Sequence, residues 1–477
     1  MNHQSAGPSP RSAKPLPLKL RSDLVVSRER FGERVFVVVK DPLALRYFRL
    51  HEEEFALLQL VDGRNGFDEM RATLEERFAP QRFQPADMSH FVASMHQAGL
   101  LISHAAGQAT PLLDRRRKAA RRELLQKLLS PTAVRLPGLD PTPLFDRLLP
   151  CVRWCFTPAA AAAALVLIVA ALGLFAVRHE EILRRLPTWQ TFFTPSNLLL
   201  LTGLMAGIKV LHELGHGLAC RRFGGECHEL GLMFLMFAPC LYCNVSDAWR
   251  LPKRQRVLVG AAGIGVELVL ASLALFGWWF SEPGLFHQLC LGTMFVSGVS
   301  TLLVNGNPLL RYDGYFILSD LVEAPNLAEK SAAVVRRWFD VRCLGLDDEP
   351  DPMLPATHRG WYALYAVAAG MYRLALTFSI VLFLMELLRP YRLEVLARGF
   401  AVVALTTTLV LPLVRFVRHA ATQARRERVR KLRCAVSTLT ALLVVGCLFG
   451  IPLPQRVFGT LEIEPRGVEH VFVDTPG

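Results

Sequence analysis

The stretch LLLLTGLMAGIKVLHELGHGLA, residues 198–219, decides how the chain is read. It is an apolar run of the length that crosses a bilayer as a helix, and it closes on His212, Glu213, Leu214, Gly215 and His216. Imidazole and carboxyl groups are expensive at that depth, so an ionisable cluster inside a span marks a functional site by default. On a helix, residues four apart share a face, so His212 and His216 can turn ring nitrogens toward one ion with Glu213 beside it. Two imidazole ligands and a carboxylate that works on water are the parts of a zinc hydrolytic centre. In a soluble core helix the same pattern is as easily coincidence; in a hydrophobic run, three ionisable residues together need partners.

Working outward, the composition agrees with a membrane setting. The chain has 477 residues, 52% of them hydrophobic, and a mean hydropathy of +0.30. Several apolar runs approach the roughly 20 residues that cross a bilayer. Candidate spans fall at 158–177, 197–219, 257–280, 286–304, 362–388, 398–417 and 434–451. The fold class expected is therefore mainly α, a polytopic α-helical membrane protein of about seven spans with a small α+β, winged-helix-like cytosolic N-terminal domain. Lys and Arg number 54 against 41 Asp and Glu, a net charge of +13, but the excess gathers in loops between apolar runs. That pattern reports membrane orientation and contact with lipid, not nucleic acid. With seven spans and the N-terminus in the cytoplasm, the Arg-rich segments before the first span and at 221–256, 330–342 and 415–433 all fall inside, and the C-terminus outside.

The first residues, MNHQSAGPSPRSAKPLPLKLRSD, lack the apolar centre of a signal peptide and read as a basic tail over 1–19. From 20 to 105 the chain is soluble in character. RVFVVVK at 34–40 and LALRYFRL at 43–50 predict strands, and 52–60 predicts a helix. A turn follows at Val61-Asp62-Gly63-Arg64, then helices over 67–78 and 85–101. Residues 106–157 read as linker, with a basic run DRRRKAARR at 114–122 suited to anionic lipid and a Pro-rich part at 137–150. Residues 158–320 form the core around the histidines, 321–360 an interfacial loop, 361–453 additional spans, and 454–477 a strand-like tail. Between the second and third spans, 230–242 is apolar but too short to cross, which predicts a re-entrant or interfacial hairpin.

Two histidines leave a zinc site short of a ligand. The candidate for the third is Asp313 in NGNPLLRYDGYFILSD, where Gly306 and Pro308 break a helix and free backbone groups that must face protein or a wet cavity. Glu267, in GVELVL, is a further intramembrane carboxylate, expected to pair with a neighbouring helix or tune the site. Cys240 and Cys243 make one CxxC, with Cys220 and Cys227 nearby; they suit a packing role better than a second zinc or a redox pair.

HELGH in one span and NPLLRYDG about a hundred residues later resemble the HExxH and NPxxxxDG motifs of the site-2 protease family of intramembrane zinc metalloproteases. Over about 200–330, the runs GHGLACRRFGGECHELGLMF and SDAWRLPKRQRVLVGAAGIGVELVLA look most like the branch of peptide zinc metalloproteases. The resemblance implies Zn2+ held by His212, His216 and Asp313, with Glu213 as general base and acid, and Asn305 and Asn307 beside the metal to bind substrate backbone. It also implies a bacterial cytoplasmic membrane, a multi-pass topology and a zinc endopeptidase acting on a membrane-associated protein or peptide.

Two smaller resemblances bear on partners. LLQLVDGRNGFDEM and FVASMHQAGLL are similar to the leader-peptide-recognition domain of the pyrroloquinoline-quinone biosynthesis protein D type, which implies peptide binding along a strand edge and the last helix. FGTLEIEPRGVEHVFVDTPG at the end resembles the opening of a haemolysin-secretion-type membrane-fusion adaptor; the chain then stops before that lipoyl-like domain is complete. These features open a second reading, a peptide-export or adaptor component without proteolysis, partnered by a secretion system. A metal transporter fits less well, because the metal-type residues sit in two tight motifs instead of lining several spans.

Overall fold

A computed structural model describes residues 15–31, 34–42, 46–103, 133–135, 138–235, 238–345 and 359–426, with three isolated positions beyond. The chain is mainly helical, with a small strand region at the N-terminus. Six helices are long and apolar enough to cross a membrane: Pro158–Arg185, Pro195–Arg222, Lys253–Phe280, Leu285–Asn305, Arg359–Tyr391 and Glu394–Thr422. Each contains one of the first six expected spans. The seventh expected span lies almost wholly outside the described residues, as do the basic run at 114–122 and the tail at 454–477.

Two compact units divide the chain, one over Met1–Glu329 with Leu364–Ala401, the other over Lys330–Ala363 with Val402–Gly477. The interfacial loop expected over 321–360 contains an amphipathic helix over Leu327–Phe339, most of it in the second unit. There His419 lies 3.0 Å from Asp340, and the Phe339 and Phe416 rings meet at 4.5 Å.

The N-terminal region of the first unit holds more strand than the sequence predicts. Strand β1 (Leu18–Leu20) is followed by β2 (Val25–Phe31), β3 (Arg34–Asp41) and β4 (Arg46–His51). Helices α1 (Glu52–Leu60), α2 (Phe67–Arg77) and α3 (Pro85–Ala98) follow, then β5 (Leu101–Ser103). The sheet order is β2-β3-β4, antiparallel throughout, and β1 pairs separately with β5. The expectation omitted β2 because SRER at its centre reads as solvated loop; β3 gives those residues their ladder, with Ser27 opposite Val38 and Arg28 opposite Val37. Pro85 at the first turn suits the start of α3, and Gly99 at φ +87 ends it in the left-handed conformation a side chain resists.

Strand β3 is buried on both faces, and the two faces do different work. Val37 and Val39 point with Phe48 and Leu50 of β4 into a core shared with Phe55, Leu58, Met70, Leu74, Met88 and Val92. The alternate positions, Val38 and Lys40, are equally buried but belong to the opposite face. That face meets the segment following the helix at 195–222. Lys40 Nζ lies 2.7 Å from Glu226 and 3.2 Å from Asp247; Tyr47 donates to Asp247 at 2.9 Å, and the Arg49 guanidinium sits over the Trp249 ring at 5.2 Å. Asp247 also accepts the Glu226 N–H at 2.9 Å. The small domain is thus tied through buried charge to the polypeptide beside the HExxH helix.

The remaining elements of this unit gather on that helix, α6 (Pro195–Arg222). The Pro-rich stretch expected to be linker contains a helix instead, α4 (Thr142–Val152): Pro143 falls in its first turn, where a missing N–H costs nothing. Phe145 of α4 is fully buried against α6, and Asp146 holds Arg221 at 2.7 Å. The next helix, α5 (Pro158–Arg185), is the first of the six candidate spans. Past α6, Gly224 at φ +84 turns the chain into the expected hairpin, which is built of β7 (Leu230–Leu235) and β8 (Ala238–Cys243), with β6 (Ala133–Arg135) on the far side of β7.

Both Glu226 and Asp247 are held below the usual carboxylate range. For Glu226 the main cause is the hydrogen bond from Lys40. For Asp247 burial works the other way, and the Glu226 N–H, the Tyr47 hydroxyl and the Lys40 ammonium outweigh it. Depressed carboxyls contribute docking that is fully present above their ordinary range, about pH 4, and lost as pH falls through the lower folded-state values. Hydrogen exchange of β3, β4 and residues 223–250, corrected for the intrinsic pH dependence of amide exchange, should therefore be constant from neutral pH down to about pH 5 and rise together in stronger acid. Asp247→Asn should raise it at neutral pH, corresponding to a loss of roughly 1–3 kcal/mol.

Candidate metal centre

Helix α6 places His212 and His216 one turn apart on a single face, and both rings are buried, 3% and 5% exposed. Helix α7 (Lys253–Phe280) crosses them at Gly263. A Cβ at that position would lie 2.4 Å from His216 Nε2 and 2.6 Å from His212 Nε2, so only the bare backbone of α7 leaves the imidazoles room. Gly215 of α6 answers it, where a Cβ would come within 3.1 Å of Val266 and 3.3 Å of the Ala262 carbonyl oxygen. Small residues on facing helices are how apolar spans approach closely.

The third group arrives through an interrupted helix. Helix α8 (Leu285–Val299) runs into a widened turn over Ser300–Asn305, closed by Gly306 N–H to the Thr301 carbonyl at 2.8 Å. The chain leaves the helix over 306–312 and restarts as α9 (Asp313–Leu321), with Asp313 in its first turn, where the helix dipole favours a carboxylate. Carbonyls freed by the break find donors on a later span, α10 (Arg359–Leu388): Tyr365 donates to Pro308 O and Tyr372 to Leu303 O, each at 2.8 Å. Tight packing of α9 on the break sets where Asp313 sits, since a Cβ on Gly314 would be 2.4 Å from Gly306 O.

The three groups predicted as ligands converge. His212 Nε2 lies 3.0 Å from Asp313 Oδ2, His216 Nε2 3.4 Å from the same oxygen, and the two Nε2 atoms are 3.1 Å apart. A carbonyl can only accept, so the 2.7 Å contact of His216 Nδ1 with Val259 O puts the proton on Nδ1 and leaves Nε2 a bare lone pair. His212 Nδ1 lies 2.9 Å from a carboxylate oxygen of Glu267, out of line for a hydrogen bond but close enough for that charge to favour the proton on Nδ1. Two lone pairs and a carboxylate aimed at one point repel one another unless a cation lies between them. Ligands at the corners of a tetrahedral zinc site with arms of 2.0–2.1 Å stand about 3.3–3.4 Å apart. The separations here, 3.0–3.4 Å, lie at or somewhat below that spacing, and the set is the one group of three or more His, Cys, Asp and Glu among the described residues whose donor atoms lie this close together. The residues fit a divalent metal.

Glu213 follows His212 on the same helix, and its Oε2 accepts the Cys243 N–H at 2.9 Å. The hairpin at 230–243 therefore ends by fixing the orientation of that carboxylate. Asn305 is buried with its amide turned to Glu267 and Ser300, each at 3.3 Å. Asn307 lies in the break, its side-chain oxygen accepting the Leu309 N–H at 2.9 Å. The structure thus places Asn307 beside the interruption and Asn305 in the network behind His212. Cys220, Cys227 and Cys243 are free thiols packed in a cluster with Phe145, Leu218 and Val259; the side chain of Cys240 lies outside the described residues.

Sequence reasoning missed three parts of this site. Lys209, one turn before His212, reaches Glu267 at 2.6 Å. Ser300 and Thr301 also contact that carboxylate, and Gly263 is the close approach that lets the imidazoles stand side by side. The one available signal was a lysine inside an apolar run. Comparison with family models, curated proteins and solved structures finds no match to this chain.

Gly→Ala inside a helix ordinarily stabilises by about 0.5–1 kcal/mol. Gly263→Ala should reverse that sign, costing roughly 1–3 kcal/mol as the new methyl displaces the imidazoles. Gly265→Ala, two residues on with nothing within 4 Å of its added Cβ, should be neutral or stabilising. Thermal unfolding of the two detergent-purified variants checks this directly.

Proposed function

We propose that the chain is an intramembrane zinc-dependent endopeptidase of the site-2 protease type, acting on a membrane-associated protein or a peptide. The observation that carries this reading is the meeting of His212, His216 and Asp313 within hydrogen-bonding distances inside apolar helices, with Glu213 alongside. His212, His216 and Asp313 are the residues that would hold zinc; when bound, it would supply Lewis acidity, acidifying a water and polarising the scissile carbonyl.

The rest of the chemistry falls to side chains. Glu213, steadied by the Cys243 N–H, takes a proton from the attacking water as the oxygen bonds to the peptide carbon. It returns that proton to the leaving amine as the C–N bond breaks. The helix break at 306–312 supplies non-helical backbone that is tolerated at membrane depth only against protein or a wet cavity, and hydrolysis needs water there. Asn307 stands in that break as the candidate for holding substrate backbone. The distribution of Arg-rich loops supports a cytoplasmic N-terminus, and the resemblance supports a bacterial cytoplasmic membrane. In this reading the N-terminal domain, anchored through Lys40 and Tyr47 to the segment behind Glu213, presents a peptide to the membrane site.

Metal content of detergent-purified protein tests the reading. Wild type should carry about one zinc per chain, and His216→Ala and Asp313→Ala should lose it. Glu213→Gln should keep the zinc and lose cleavage of a transmembrane peptide offered in the same micelles. A wild type without stoichiometric metal after gentle preparation would remove the metalloprotease reading. Secretion of a peptide unimpaired by Glu213→Gln would instead favour the export component.

A further inference from the structure

Behind the metal-type residues lies a second layer of charge that the proposed reaction does not use. Glu267 is wholly buried on α7, yet one carboxylate oxygen meets four groups. Oε1 is 2.6 Å from Lys209 Nζ, 2.9 Å from His212 Nδ1, and 3.3 Å from both Ser300 Oγ and Asn305 Nδ2. Thr301 donates to Oε2 at 2.5 Å, and Lys209 also donates to Ser300 at 2.6 Å. The contact with His212 is close but out of line with the ring N–H, which leaves His212 Nδ1 without a well-aligned acceptor. The widened turn explains the gathering: its i to i+5 spacing puts Ser300 and Asn305 on one face, toward Glu267.

We propose that Lys209 and Glu267 are a positioning pair for His212, with Glu267 fixing the tautomer and tilt of the imidazole and Lys209 neutralising the carboxylate that does so. This rests on the metal-centre reading above. A buried carboxylate without a partner would lose its charge or its place, so Glu267 can serve His212 as an anion only while Lys209 is there. Carboxylate behind imidazole is the usual way a metal-binding histidine is oriented and made more basic. His216 has a neutral counterpart, the Val259 carbonyl. The two imidazoles are consequently supported unequally, one by a full charge and one by a dipole.

The simpler role for the pair is a tie between α6 and α7, and the two roles separate in a set of variants. The readouts, on full-length protein in detergent, are zinc affinity by chelator competition, the visible spectrum of the cobalt-loaded form, and thermal unfolding of the metal-free form. Glu267→Gln should bind zinc 10–100-fold more weakly and shift the cobalt bands. Lys209→Met should both lower the unfolding temperature of the metal-free protein and weaken zinc binding, because Glu267 without its ammonium partner loses its charge or its place beside His212. The double variant Lys209→Met/Glu267→Gln has no unpaired charge; it should regain thermal stability but still bind zinc weakly.

Zinc affinity of Glu267→Gln within twofold of wild type, or affinity restored in the double variant, would overturn the positioning role and leave a structural tie. Should Glu267→Gln alone fail to accumulate, the double variant decides the question by itself. A wild type that binds no metal overturns the metal centre itself, an outcome distinct from normal binding in wild type and variants alike.

Discussion

The molecule is organised by the cost of holding ionisable groups among apolar helices. His212, Glu213, His216, Glu267, Lys209 and Asp313 stand in or beside runs that otherwise contain little but hydrocarbon. A charge at such depth persists only if each group finds a partner. Much of the local architecture is the means of supplying partners. Bare backbone at Gly263 lets two imidazoles share one face, the interrupted helix delivers Asp313 to them, and the widened turn lines up hydroxyls and an amide on Glu267. A plain helix through 300–313 could do neither of the last two things.

The same accounting gives the later spans a place in the site. By motif alone, the helices after residue 360 lie outside the region that holds the two motifs. Breaking a helix in the membrane leaves carbonyls without donors, however, and each costs several kcal/mol if it faces hydrocarbon. Tyr365 and Tyr372, on the span Arg359–Leu388, donate to two of those carbonyls. Asp313 keeps its position partly because a helix some fifty residues later makes the interruption affordable.

What could be read in the sequence divides along physical lines. Length and apolarity of the six described spans, the hairpin near residue 235 and the helices of the small domain were all legible, because each is written in local periodicity or punctuation. The convergence of His212, His216 and Asp313 was legible because they sit in two compact motifs. Strand β2 was not, since SRER looks like solvent-facing loop until β3 lies beside it. Nor was α4, where proline density suggests a linker although Pro143 stands where a helix tolerates it. Glu267 was visible as an intramembrane acid, but its partner was not: a lysine 58 residues earlier and a turn about 34 residues later meet it only in three dimensions.

The two faces of strand β3 join the small domain to the segment behind Glu213. An isolated domain of this size would leave Lys40 and Val38 on an outer surface, and neither would need to be buried. Here both are buried, with Glu226 and Asp247 paired to Lys40 and Trp249 against Arg49 on that face. Those three residues flank the hairpin whose last residue, Cys243, holds Glu213 through its backbone N–H. Burying Lys40 costs desolvation that only this partner set offsets, so the small domain and the segment behind Glu213 are selected for each other by charge. The orientation of Glu213 is set at one end of a covalent stretch whose other end answers to β3 and β4.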